Sequence, residues 1–142
     1  MYSLHVEREI ACSHILNLHD GKCHNLHGHN YKIVVDITTD KLIEGEVSSD
    51  GMVVDFGLVK GVIDDLDHKH LNEYFEILEQ SQTREGTFTK FLKQCAIQPT
   101  SERLSRFIAV SIYDKVYYIT GRASNINVKV YESSTNYAEF SM

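Results

Sequence analysis

The sequence predicts an α+β domain: a four-stranded antiparallel sheet with two helices on one face, in the order strand, strand, helix, helix, strand, strand. Three observations predict it. Apolar and polar residues alternate in two stretches near the N-terminus. Apolar residues then recur at helical spacing in two further stretches, and alternation returns near the C-terminus.

Residues 2–14 read as the first strand, since Leu4, Val6, Ile10 and Cys12 share one parity, with Arg8 the exception. Residues 29–39 read as the second, with Tyr31, Ile33, Val35 and Ile37 on one face and Lys32, Asp36 and Thr38 on the other. Residues 40–52 hold Gly45, Ser48, Ser49, Asp50 and Gly51, which suit a loop. A helix is expected to start near Asp55, a good N-cap, with Leu58, Val59, Val62, Ile63 and Leu66 on its apolar face. A second is expected near Thr100, after Pro99, with Leu104, Phe107, Ile108 and Ile112 as its stripe and Ser111 as a polar break. The stretch 73–98 is ambiguous, although residues 88–96 suit a short helix. Residues 124–132 and 136–141 read as two closing strands.

With 142 residues, no internal repeat and no low-complexity linker, the chain reads as a single domain over 1–142. No apolar run approaches the ~20 residues of a membrane-spanning helix, so no membrane association is expected. Met1–His5 lack a basic region followed by an apolar one, so no secretory signal is expected and a cytoplasmic location is. Three irregularly spaced cysteines argue against a disulfide framework. A net charge of -6 argues against a nucleic-acid groove, and an anionic substrate would need a local basic cluster.

His14 and the run Cys23-His24-Asn25-Leu26-His27-Gly28-His29-Asn30-Tyr31 carry the chemistry. Residues two apart in a strand share a face, so His27 and His29 can hold one ion together. Gly28 between them lets backbone approach closely. His14 shares parity with Val6, Ile10 and Cys12 and supplies a third nitrogen. Three histidines leave the fourth tetrahedral position of a zinc ion open, as in catalytic sites. Glu132 has the parity of Ile126, Val128 and Val130, which puts three imidazoles and a carboxylate on the apolar side of the sheet. Buried polar groups are costly unless paired or bound to a ligand, so the combination suggests a pocket.

A second constellation is Leu66-Asp67-His68-Lys69-His70-Leu71-Asn72. An imidazole held by a carboxylate is a tuned proton acceptor. Cys23, Asp67 and His68 would together form a proton-relay set opposite the metal. The competing reading makes Cys23 a fourth ligand, which would close the site and give a structural zinc protein. His5, His19 and His24 read as surface residues.

These residues resemble the 6-pyruvoyltetrahydropterin synthase / 6-carboxytetrahydropterin synthase family. The match runs over most of the chain outside 73–98. Its motifs are Ser13-His14, Cys23-x3-His27-Gly28-His29-Asn30-Tyr31, Gly51-Met52-Val53-Val54-Asp55-Phe56, Leu66 to Asn72, Pro99-Thr100-Ser101-Glu102 and Val128-Lys129-Val130-Tyr131-Glu132. The resemblance implies a tunnelling fold, in which subunits join their sheets into a barrel, commonly a hexamer of two trimers. It implies Zn2+ on His14, His27 and His29, and proton transfer by Cys23, Asp67 and His68. Glu132 would anchor the guanidine-like N–C–N edge of a pterin, with Thr100 and Glu102 lining the pocket. Glu102 could equally belong to a helix-capping arrangement.

Three residues between the cysteine and the first histidine, where pyruvoyl synthases usually have five, look like the carboxytetrahydropterin synthases of queuosine biosynthesis. The implied reaction converts 7,8-dihydroneopterin triphosphate to 6-carboxytetrahydropterin with loss of triphosphate and acetaldehyde. The alternative is a pyruvoyltetrahydropterin synthase or related side-chain lyase. Two features depart from the family pattern: Ile15, where Arg is common, and the long 73–98 segment.

Overall fold

Alternation in the sequence becomes alternation in burial. The computed structural model describes residues 1–142. In β1 (Tyr2–His14), Leu4, Val6, Ile10, Cys12 and His14 are buried while their neighbours face outward. Its partner β2 runs His27–Thr39, two residues earlier than the pattern indicated, so both histidines of His-Gly-His lie within the strand. The two strands pair antiparallel from Tyr2↔Thr39 to His14↔His27. That register sets His14 directly across from His27, and a slip of one residue would turn the set to the opposite face.

The closing strands are β4 (Asn125–Tyr131) and β5 (Tyr137–Ser141), both antiparallel to their neighbours. Ile126, Val128 and Val130 meet Ile37, Val35 and Ile33 in register and continue the buried face. Glu132 follows the last residue of β4.

Four helices are present where two, with a short third over 88–96, were expected. α1 (Phe56–Asp64) starts as anticipated: the Asp55 carboxylate accepts the Gly57 N–H at 2.6 Å. α4 (Ser101–Thr120) is capped by the Thr100 hydroxyl, which accepts from Arg103 N–H, and it ends at Gly121 in the left-handed region, φ 63°. The ambiguous segment forms α2 (Leu71–Gln80) and α3 (Thr87–Ile97), which pack against each other. Leu71, Phe75 and Leu78, spaced four and three apart, form the inner face of α2. All four helices contribute buried side chains to the one core, which covers the apolar face of the sheet.

The sheet has a fifth strand, β3 (Lys69–His70), parallel to β1 at Cys12 and Ser13. The strand order is β3-β1-β2-β4-β5. β3 is too short for any periodic signal. It forms because His68 takes φ 61° and donates its N–H to Ala11 O at 2.7 Å. Arg8, the polar exception in β1, pairs with Asp64 of α1 at 2.9 Å. No helix is long and apolar enough to cross a membrane.

Candidate active site

His14, at the end of β1, and His27 and His29, at the start of β2, converge at the mouth of the core. Their ligand nitrogens all lie within 4.8 Å of one another. Gly28 has the role its small size suggested: a Cβ there would sit 3.1 Å from Cys12 O. Any side chain would push β1 and β2 apart where they carry the three imidazoles.

Two ring tautomers follow from the partners. His14 Nδ1 lies 2.9 Å from Pro99 O, and His27 Nδ1 lies 2.6 Å from Asn25 O. A carbonyl only accepts, so both Nδ1 atoms carry the proton. Burial holds His14 below the ordinary histidine range, the neighbouring His27 and His29 add to this, and the Pro99 carbonyl opposes it; the ring is neutral. Its Nε2 then presents a lone pair 2.9 Å from His27 Nε2. Two lone pairs do not attract each other, and a cation held between them would join them. His29 Nε2 is buried and has no hydrogen-bond partner at all. Orphaned buried nitrogens are rare and point to a missing ligand. A tetrahedral ion with Zn–N bonds of ~2.0–2.1 Å needs nitrogens about 3.3 Å apart; the His14–His27 pair at 2.9 Å and the set as a whole, within 4.8 Å, bracket that value. The donor set therefore fits a divalent metal, with the Pro99 and Asn25 carbonyls orienting two of its ligands.

Cys23 lies in a one-turn 3-10 helix, Lys22–His24, on the loop between β1 and β2. The backbone of that loop is tied down by Leu16 N–H donating to Cys23 O at 2.9 Å. Its sulfur is outside the metal-ligating set, and the thiol is half-buried rather than sealed. The other two cysteines are buried, with burial pushing Cys12 up to about 11 and Cys95 up to about 12, so both stay protonated. Cys23 is the one accessible thiol.

Asp67 and His68 are joined, Oδ1 to Nδ1 at 3.0 Å. The Ala11 N–H, donated to Asp67 Oδ1 at 2.9 Å, is the main reason its carboxyl sits below the usual carboxylate range; His68 adds to this. His68 is a non-glycine residue at positive φ, a costly conformation that the surrounding bonds must hold. Its side chain is 82% exposed at the sheet edge. With Ser13, Gly28, His29, Asn30 and Lys69 it lines a cavity of 380 Å³. No hydrogen bond joins Asp67 or His68 to Cys23, so the structure assembles two parts of the expected relay but leaves them separate within one chain.

Glu132 stands beside the imidazoles, with Oε2 4.0 Å from His29 Nε2. It shares a second cavity, 230 Å³, with Leu16, Thr100, Ser101, Glu102, Asn136 and Tyr137. Thr100 and Glu102 thus line the same cavity as Glu132. Glu102 makes no capping box: the Thr100 N–H goes to Gln98 O at 2.9 Å instead.

Sequence reasoning missed three supports. Pro99 acts through a backbone carbonyl, which no side-chain pattern reveals. Ser101 donates to Glu132 at 2.7 Å. Asn72 accepts from Ile15 N–H and donates to Ile15 O and Ala96 O, all at 2.8–2.9 Å. Its place in the Leu66–Asn72 motif was the available signal.

Fold and site together define a helix-backed sheet whose strand ends carry three histidines able to hold a metal ion, beside a carboxylate-lined pocket. The comparisons narrow that class. Residues 3–142 match the family model described as 6-pyruvoyl tetrahydropterin synthase. The 6-carboxy-5,6,7,8-tetrahydropterin synthase of Haemophilus influenzae is 28% identical, over 99% of each chain. The synthase of the same name from Synechocystis is 29% identical, over 99% of this chain and 93% of its own. In fold, the chain is similar to the 6-pyruvoyltetrahydropterin synthase of Plasmodium vivax, with TM-score 0.60, 21% identity and coverage of 99% and 97%. The chain belongs to the 6-pyruvoyl tetrahydropterin synthase family.

Proposed function

We propose that this protein is a zinc-dependent lyase that converts 7,8-dihydroneopterin triphosphate and one water to 6-carboxytetrahydropterin, releasing triphosphate and acetaldehyde. The observation that carries the metal-dependent reading is the unpartnered His29 Nε2 beside two imidazoles whose lone pairs face each other. The names of the Haemophilus and Synechocystis relatives support the carboxy product.

His14, His27 and His29 hold the metal, which when bound supplies a Lewis acid that stabilises negative charge on the substrate side chain. Glu132 receives the pterin: a carboxylate accepting two parallel N–H bonds matches an N–C–N edge. Thr100 and Glu102 line that pocket. The Cys23 thiolate removes a side-chain proton. His68, with Nδ1 committed to Asp67, keeps Nε2 free to accept or return a proton on the opposite face. Cys23 is a base and not a ligand in this reading, because a fourth protein donor would block the open position.

The protein acts as a closed homo-oligomer. β3 covers only Cys12 and Ser13 of β1, so most of that strand is an open edge, and β5 is open at the other side. Open edges invite pairing, and barrel closure between chains would remove them.

The test is triphosphate release from 7,8-dihydroneopterin triphosphate by zinc-loaded protein. Release is expected to disappear, along with bound zinc, in His29→Ala. Full zinc retention in that variant would overturn the ligand assignment.

A further inference from the structure

Four polar residues are buried: His14, Thr89, Ser101 and Ser105. His14 belongs to the metal centre. The Thr89 and Ser105 hydroxyls return to backbone carbonyls of their own neighbourhood, Arg84 O and Glu102 O. That is ordinary helix-end bonding. Ser101 differs. Its residue is 7% exposed, and its hydroxyl reaches a side chain 31 residues away, Glu132 Oε1, at 2.7 Å. As the first residue of α4 it stands where a hydroxyl commonly serves the helix, but Thr100 already supplies the N-cap. The Ser101 hydroxyl is free for another task.

We propose that Ser101 is a positioning residue, which fixes the Glu132 carboxylate in the plane that receives the N–C–N edge of a pterin. The proposal rests on the reading of Glu132 as the pterin anchor. A glutamate carboxylate turns about a soft terminal torsion, whereas two parallel N–H bonds require one plane. One donated hydrogen bond at Oε1 restrains that torsion. It uses one of the lone pairs on Oε1 and leaves Oε2 without a hydrogen-bond partner, so both oxygens still have room for a ligand N–H. The α4 N-terminus adds a partial positive charge near the same carboxylate, which favours its ionised, accepting form. Ser101 touches no reacting atom; it acts through Glu132.

The probe is 2-amino-4-oxopteridine, which has the recognised edge and neither side chain nor phosphate, with 2,4-dioxopteridine as the comparison lacking the amino group. Binding is followed by fluorescence on the full, zinc-loaded chain. Ser101→Ala is expected to weaken the pterin about tenfold or more and to shrink its preference over the dioxo compound. Zinc content is expected to stay unchanged. Ser101→Thr is expected to restore affinity and preference. In a Glu132→Gln background, Ser101→Ala is expected to add nothing, since the group it positions is gone. If Ser101→Ala does not fold, Ser101→Thr against the isosteric Ser101→Val makes the same comparison. Loss of binding in Glu132→Gln with none in Ser101→Ala would overturn the positioning role and leave the anchor standing. Unchanged binding in Glu132→Gln would overturn the anchor, and this proposal with it.

Discussion

Replacing Asn72 with alanine removes a clamp that joins the end of β1, next to the three-histidine cluster, to the helical layer. The side chain makes three hydrogen bonds: from Ile15 N–H at 2.9 Å, to Ile15 O at 2.8 Å and to Ala96 O at 2.9 Å. Ile15 directly follows His14 of the three-histidine cluster. Ala96 lies in the last turn of α3, where carbonyls lack intrahelical partners. Each half-buried hydrogen bond contributes about 0.5–1.5 kcal/mol net, and a stranded partner costs more. Three such bonds, with water reaching part of the site, give a loss of about 2–4 kcal/mol. At about 3 °C per kcal/mol for a chain of this size, Tm should fall by about 6–12 °C. Metal affinity should fall as well, because the His14 backbone is no longer held. Asn72→Asp should be at least as damaging, since a carboxylate would face two carbonyl oxygens. The assay is thermal unfolding of the metal-free protein, paired with zinc titration. A Tm within about 2 °C of the parent, with zinc affinity intact, would refute the clamp.

Three further outcomes are expected. Cys23→Ala should retain zinc and fold while losing ~10²–10⁴-fold in turnover, the usual worth of a positioned base; loss of zinc, or near-normal turnover, would show the cysteine misread. His5 bonds Asp36 at 2.6 Å and Glu7 at 3.1 Å, and the Asp36 contact foremost raises its pKa above the ordinary 6.5. A raised histidine stabilises the fold below the unfolded value and loses that contribution as pH rises through the folded one. The NMR titration midpoint of His5 should therefore lie above 6.5 and fall back in Asp36→Asn. Sedimentation at micromolar concentration should give an oligomer, and a monomer would refute closure between chains.

Much of this was legible in the residues, for physical reasons that also explain what was not. Period-two alternation in β1 and β2 fixes which face is buried, and so fixed the common side of His14, His27 and His29. Asp55 and Thr100 marked two helix starts because a short oxygen-bearing side chain satisfies the first free N–H groups. α2 was missed although Leu71, Phe75 and Leu78 carry its spacing, because its exposed positions Ile77 and Glu76 blur the stripe. β3 could not be read, since its two residues are held by backbone bonds and by the unusual φ of His68. The supports from Pro99 and Asn72 were hidden for the same reason: they act on main-chain atoms, which every residue possesses. Asp67 and His68 were recognised as a pair, but their place, at an exposed sheet edge beside the cavity that His29 also lines, belongs to tertiary structure alone.

Whether this three-histidine site turns a dihydropterin triphosphate into a carboxylated tetrahydropterin is tested most directly by mass spectrometry of the products from 7,8-dihydroneopterin triphosphate, run on zinc-loaded protein, on protein stripped by a chelator, and on stripped protein resupplied with zinc. The expected outcome is 6-carboxytetrahydropterin with acetaldehyde and triphosphate in the first and third reactions and intact substrate in the second. Unchanged substrate with full zinc loading, turnover that survives metal removal, or a product that keeps its three-carbon side chain would contradict it.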